Sequence, residues 1–172
     1  HGRDLPIQWH VFGDTEVYGF GRRLRNVRLG DRLCLHGPYR RQEIFELLRR
    51  HAIDVTVLLP ACDETFSFTL SESWLAGVPA IVSACGALPE RAAQTGAALV
   101  VQDAAQALGA LRRFVSDRAA LTALAERAAQ AHHSTLRENA EAHRQVYGLL
   151  WKTVTTPGPT TPIGICATPI MF

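Results

Sequence analysis

Apolar and polar residues along this chain fall into short β-rich runs separated by longer stretches of helical periodicity. Residues 7–12 (I-Q-W-H-V-F) alternate and stop at Gly13-Asp14, a turn signal. Residues 32–36 make a second strand pattern, closed by Gly37-Pro38. Residues 40–51 place Ile44, Phe45, Leu47 and Leu48 at helical spacing with charges opposite, which predicts an amphipathic helix laid on a sheet. Residues 54–60 are almost continuously aliphatic or β-branched, as a parallel strand buried on both faces should be. Further strands are predicted at 80–82 and 97–101, with a short helix at 89–95 carrying Pro89 in its first turn. Asp103 and Asp117 are expected N-caps of helices reaching about Ser116 and Ala131, and Ser134 the N-cap of one reaching about Trp151. Strands alternating with helices in this order predict an α/β chain with a doubly wound parallel sheet.

Composition narrows this picture. The chain has 172 residues, 47% of them apolar, enough for one domain with a sizeable core, expected over residues 1–151. Its net charge of +2 is too small to argue for a nucleic-acid partner, and no apolar run approaches a membrane span. The chain carries no secretory signal and begins at His1, so it reads as a piece of something longer, with a cytoplasmic setting expected. Cys34, Cys62, Cys85 and Cys166 lack metal-like spacing and are expected as reduced thiols. Cys62 and Cys85 each follow a strand and could lie close together, without a bridge. His132 and His133 are adjacent and would point about 100° apart on a helix, so no metal-ligand cluster is expected. His36 and His51 read as strand-end and helix-end residues. Arg22, Arg23, Arg25 and Arg28 either reach phosphates or an anionic membrane surface, or form a solvated helix face. Residues 152–172 are rich in Thr, Pro and Gly and read as a tail or linker, although residues 163–167 are more apolar than a linker should be.

The stretch with most chemistry is residues 60–90. A strand, a loop carrying Glu64, a short helix carrying Glu72 and a second strand make a βαβ unit, whose ligands sit beyond the carboxyl ends of the strands. The helix, expected to start near Ser67 or Phe68, offers unpaired N–H groups and a positive dipole end to a phosphate. A loop carboxylate can accept from sugar hydroxyls, and a second one to two turns into the helix can accept both hydroxyls of a ribose. Sugar, diphosphate and ribose in line describe a nucleotide-activated sugar. A plainer reading stands beside it: Thr69 and Glu72 have capping-box spacing, and Glu64 can be a solvated loop acid.

Residues 64–72 (E-T-F-S-F-T-L-S-E), followed by Ala76-Gly77-Val78-Pro79 and by Gly86-Ala87-Leu88-Pro89-Glu90-Arg91, resemble the E-x7-E signature of retaining GT-B glycosyltransferases. The pattern is similar to the family 4 group, and in its local wording to bacterial enzymes of cell-surface polysaccharide synthesis. The resemblance runs from about Ile7 to Tyr147 and implies a Rossmann-like donor-binding domain without the family's first strand and helix. It also implies that an amino-terminal acceptor domain lies elsewhere.

Carried over by position, the resemblance makes Glu64 the residue that holds hydroxyls of the donor sugar. The backbone of Phe66, Ser67 and Phe68 would approach sugar and phosphate, and Glu72 would bind the ribose. Tyr39, in the loop where relatives recognise the base, is a candidate stacker or a packed tyrosine. Ser67 stands where the family usually has Gly, so it either narrows the approach or supplies a helix cap. The family needs no metal or organic cofactor. The expected partner is a nucleotide sugar, with peripheral membrane contact and homodimerisation left open. Two other functions remain compatible: a non-catalytic GT-B-like binding module, or another nucleotide-sugar enzyme such as an epimerase.

Overall fold

The computed structural model describes residues 5–16, 19–27, 29–131 and 136–155. At its centre is β4 (Ala80–Ser83), paired in parallel with β3 (Thr56–Leu58) on one side and β5 (Ala98–Val101) on the other. Side chains alternate across a strand, so Ala80 and Val82 enter one layer and Ile81 the opposite one. Leu70 and Trp74 of α3 (Phe68–Leu75), Leu88 and Ala92 of α4 (Leu88–Thr95) and Ala128 of α6 (Arg118–Gln130) cover the first face. Ala107, Ala110, Leu111 and Phe114 of α5 (Ala104–Ser116), with Leu121 of α6, cover the second. Helices on both faces of a parallel sheet are the doubly wound α/β arrangement that the alternation of patterns predicts.

A second parallel pair, β1 (Trp9–Phe12) with β2 (Leu33–Gly37), stands beside this sheet without ladder hydrogen bonds to it among the described residues. Packing joins the two: Ile7 and Trp9 rest on the cluster that also holds Val55 and Val57. Among the described residues β3 is therefore an edge strand. Residues 54–60, expected as a fully buried strand, form only a three-residue strand that is half-buried, and Leu59 is exposed. No further strand lies on its other side among the described residues. Residues 163–167 lie outside them.

Between β1 and β2, α1 (Phe20–Arg25) exposes Arg22, Arg23 and Arg25, with Arg25 paired to Glu16 at 3.6 Å. Their exposure is compatible with both readings of the cluster; Arg28 is outside the described residues. After β2, a 3-10 turn (Arg41–Glu43) leads into α2 (Ile44–Arg50). A helix this short inserts only its i,i+4 pair, Ile44 and Leu48, beside Val78, and Phe45, expected on the apolar face, is exposed. Asp103 and Asp117 cap α5 and α6 as predicted, accepting from the amides of Gln106 (2.8 Å) and Ala120 (3.1 Å). The chain divides into two units, residues 1–133 and 134–172. In the second, α7 (Leu136–Thr155) carries an Arg144–Glu141 ion pair at 2.9 Å, and its expected cap, Ser134, is not among the described residues. No helix among the described residues is long and apolar enough to cross a membrane.

The helix α3 is defined at both ends by backbone geometry. At its C-terminus Gly77 takes φ +71°, its amide bonds to the Trp74 carbonyl (2.8 Å), and the Val78 amide reaches the Ser73 carbonyl (2.9 Å). That pair of bonds is a Schellman closure, and Pro79 behind it prevents continuation. Inside, the Ser73 hydroxyl bridges the Val78 carbonyl and Thr56 Oγ1, and the buried Trp74 indole donates to the Ala97 carbonyl at 3.2 Å. The N-terminal end is less comfortable. Ser67 is the N-cap with φ +64° and ψ +87°, and its side chain makes no capping bond. Its side chain thus supplies no cap, and its backbone occupies a region where glycine costs least.

Two stability outcomes follow. Ser67→Gly should stabilise the domain by about 1 kcal/mol, because left-handed backbone at a non-glycine residue costs on the order of 1–3 kcal/mol and glycine's extra unfolded-state entropy offsets part of the gain. Trp74→Ala should destabilise by about 3–5 kcal/mol, leaving a core cavity and removing one of the two hydrogen bonds to the Ala97 carbonyl, which keeps its bond from the Ala80 amide. Urea unfolding of each variant beside the parent measures both.

Candidate functional site

The loop from the end of β3 to α3 is held by backbone contacts before any side chain acts. The Ala87 amide donates to the Glu64 carbonyl at 2.8 Å. Gly86, at φ +56°, lies so close that a Cβ there would sit on that carbonyl oxygen and 2.5 Å from the Glu64 amide nitrogen. Only a residue without a side chain permits that approach. Asp63 adds a second tie: its Oδ1 accepts from the Gly86 amide (3.0 Å) and from Cys85 Sγ (3.1 Å). The hydrogen bond to Asp63, then burial, push the Cys85 thiol pKa up. Cys62 and Cys85 are both free thiols.

Fixed in this manner, Glu64 projects a carboxylate whose Oε2 is buried and has no hydrogen-bond partner among the described residues. Ser83 Oγ, at the carboxyl end of β4, is the other such atom. A buried polar atom left without a partner costs about 1–3 kcal/mol, and these two follow or end adjacent parallel strands.

On the other flank, Arg91 organises the mouth of α3. Its Nη1 donates to the carbonyls of Phe66 (2.6 Å) and Ser67 (2.8 Å), and its Nη2 to Ser71 Oγ (2.9 Å). The guanidinium also lies 4.2 Å from the Phe66 ring centre and 5.1 Å from that of Trp74. With the Phe66 and Ser67 carbonyls held by Arg91, the unpaired amides of the first turn of α3 remain at the helix mouth. The rings of Phe66 and Phe68 are exposed and meet edge to face at 5.3 Å.

Glu72 is the fifth residue of α3, and its side chain is only 10% exposed. Helix α3 starts at Phe68, so Thr69 is not its cap and the capping-box alternative for Glu72 is set aside. Its Oε1 instead accepts from Arg41 Nε at 2.9 Å, while the Arg41 side chain remains 66% exposed with its guanidinium 5.0 Å from the Phe68 ring centre. Tyr39 is half-buried, its ring edge-on to Phe12 at 6.4 Å and packed on the Ile44–Leu48–Val78 cluster. Burial, and then the Glu72 charge, raise its hydroxyl pKa, which places the tyrosine in the surroundings of that acid.

Three features of the site were not read from the sequence: the role of Arg41, the backbone purpose of Gly86 and Arg91, and a histidine convergence. Arg41 is one of two adjacent arginines, and nothing local distinguishes it from Arg40. Gly86 and Arg91 belong to a motif whose backbone purpose appears only in three dimensions. The third departure concerns histidines: His10 Nδ1 and His36 Nε2 lie 2.9 Å apart, and His51 joins them so that one nitrogen of each ring falls within 4.8 Å of the others. Burial first, then His51, lower the pKa of His10 and of His36. Sequence separation hid this convergence of three imidazoles. His132 and His133 are outside the described residues.

Comparison with known proteins gives this geometry a lineage. Among solved structures, sucrose-phosphate synthase from Thermosynechococcus elongatus superposes with a TM-score of 0.61 at 23% identity, over 88% of this chain and 40% of that one. Anabaena HepE in complex with UDP and glucose superposes with a TM-score of 0.63 at 15% identity, over 91% of this chain and 42% of that one. The same protein in complex with UDP-glucose gives 0.62 at 14%, over 89% and 42%. The chain therefore spans about two fifths of the length of these structures. They share its α/β GT-B fold. No curated protein matches the sequence significantly. Residues 3–131 match the family described as glycosyl transferases group 1, and with most of the sequence covered the chain belongs to that family.

Proposed function

We propose that this chain is the donor-binding domain of a retaining, family 4-type glycosyltransferase, with its E-x7-E motif holding a nucleotide sugar. The carrying observation is the pair of partnerless buried oxygens, Glu64 Oε2 and Ser83 Oγ, at the carboxyl ends of β3 and β4. Sugar hydroxyls are donors of the right kind to satisfy Glu64. Glu72 binds the ribose: Arg41 occupies Oε1 only, and its exposed side chain can turn aside without burying charge. The N–H groups at Phe66, Ser67 and Phe68 face the phosphates, and the first turn of α3 stabilises charge that grows on the leaving diphosphate. Tyr39 borders the base. No metal is invoked for this chemistry.

Uridine diphosphate is the first nucleotide to test, because HepE is described with UDP and with UDP-glucose. Turnover requires an acceptor domain in addition to these residues, so this chain alone is expected to bind without transferring. A cytoplasmic role in bacterial surface-polysaccharide synthesis, at or near the inner membrane face, is the setting that the local wording of the motif favours. One observation favours the non-catalytic alternative: Glu72 already has a cationic partner in Arg41.

Calorimetry separates these readings. UDP should bind the parent, and Glu72→Ala should weaken it by about 10–100-fold, the worth of a charge-assisted hydrogen-bonded pair. Negligible heats with UDP, GDP and ADP alike would favour the non-catalytic module. Glu64→Gln should leave UDP affinity within about twofold while removing the extra affinity gained from the sugar of UDP-glucose. An equal loss for UDP and UDP-glucose would remove Glu64 from the sugar site.

A further inference from the structure

The histidine cluster lies apart from Glu64 and Glu72 in the chain and rests on different elements. His10 sits on β1, His36 on the adjacent strand β2, and His51 caps the C-terminus of α2. In the parallel register His10 is opposite Cys34, so strand alternation puts His10, Phe12 and His36 on one face, the face on which Phe12 packs with Ile44 and Leu48 of α2. The rings of His10 and His36 are parallel within 8°, with centres 5.2 Å apart, and Phe12 continues the stack 4.5 Å from His36. His51 closes over them, its ring centre 4.3 Å from that of His36 and 5.0 Å from that of His10.

We propose that His10, His36 and His51 form a three-imidazole site for a borderline divalent transition-metal ion, zinc in the first instance. Three nitrogens bound at about 2.0–2.1 Å in a tetrahedral site lie about 3.4 Å from one another. The three here, all within 4.8 Å, reach that spacing through small ring rotations, with the 2.9 Å His10–His36 pair opening and His51 closing. An all-imidazole donor set suits zinc, copper, nickel or cobalt, not the oxygen-seeking magnesium or calcium. All three residues are only partly buried, which leaves a path for the ion and a fourth position for water. The ion would tie together β1, β2 and the end of α2, a two-stranded sheet whose own ladder is short. His36 also immediately precedes the loop carrying Tyr39 and Arg41.

The test uses the whole chain stripped with EDTA and titrated with Zn2+ or Co2+ alone. One equivalent should bind, cobalt should develop the intense visible absorption of a tetrahedral site, and zinc should raise the melting midpoint by roughly 5 °C or more at saturation. In the parent protein, amide-exchange protection by zinc should centre on residues 9–12, 33–37 and 44–51, a readout that needs no variant to fold. His36→Gln and His51→Gln should each weaken binding at least tenfold, and a His132→Gln/His133→Gln double variant should bind as the parent does. Absence of binding, protection located elsewhere, or loss only in the double variant would overturn the proposal.

Discussion

The close approach of Gly86 to the Glu64 backbone is the constraint on which the site depends. β3 and β4 end side by side, and the chain leaving each must pass the other within a space that admits no Cβ. Once the Ala87 amide and the Asp63 carboxylate have locked the two turns together, Glu64 has little freedom left. Its carboxylate is held where one oxygen loses water without gaining a protein donor. The core underneath makes this affordable. β4 is buried on both faces, and α3 is tied to the sheet around it by Ser73, which bonds Thr56 of β3, and by Trp74, which bonds the Ala97 carbonyl next to β5.

Arg91 extends the same logic to the helix mouth. By drawing the Phe66 and Ser67 carbonyls towards itself, it presents amides rather than carbonyls at the N-terminus of α3, where the helix dipole is also positive. Two exposed aromatic rings flank that positive end, each with a guanidinium against it. Such a surface suits an anion attached to a flat or sugar-like group. It also explains why a strained Ser67 is tolerated, since the carbonyls that Arg91 holds flank the residue forced into left-handed backbone.

Much of the fold was legible because it is written in local patterns. The two aspartate caps, the five strand runs and the order of strands and helices needed only periodicity and turn chemistry. What was not legible depended on neighbours distant in sequence. Residues 54–60 look like an interior strand, yet among the described residues β3 is an edge, because burial is set by which strand lies beside it and not by its own composition. Phe45 satisfies helical spacing but is exposed, since α2 is too short to bury a third position. At the site, the two glutamates and the glycines were visible as a motif, whereas the Arg41–Glu72 pair joins residues thirty-one apart. The histidines come from two strands and a helix end, a convergence that no spacing rule could have encoded.

The central claim is that Glu64 and Glu72 flank one bound nucleotide sugar across the mouth of α3. A crystal structure of the chain with UDP-glucose tests it most directly. The account predicts glucose hydroxyls on Glu64 Oε2, the diphosphate against the first amides of α3, and ribose hydroxyls on Glu72. A ligand bound elsewhere, or a sugar that leaves the Glu64 oxygen without a donor, would contradict it.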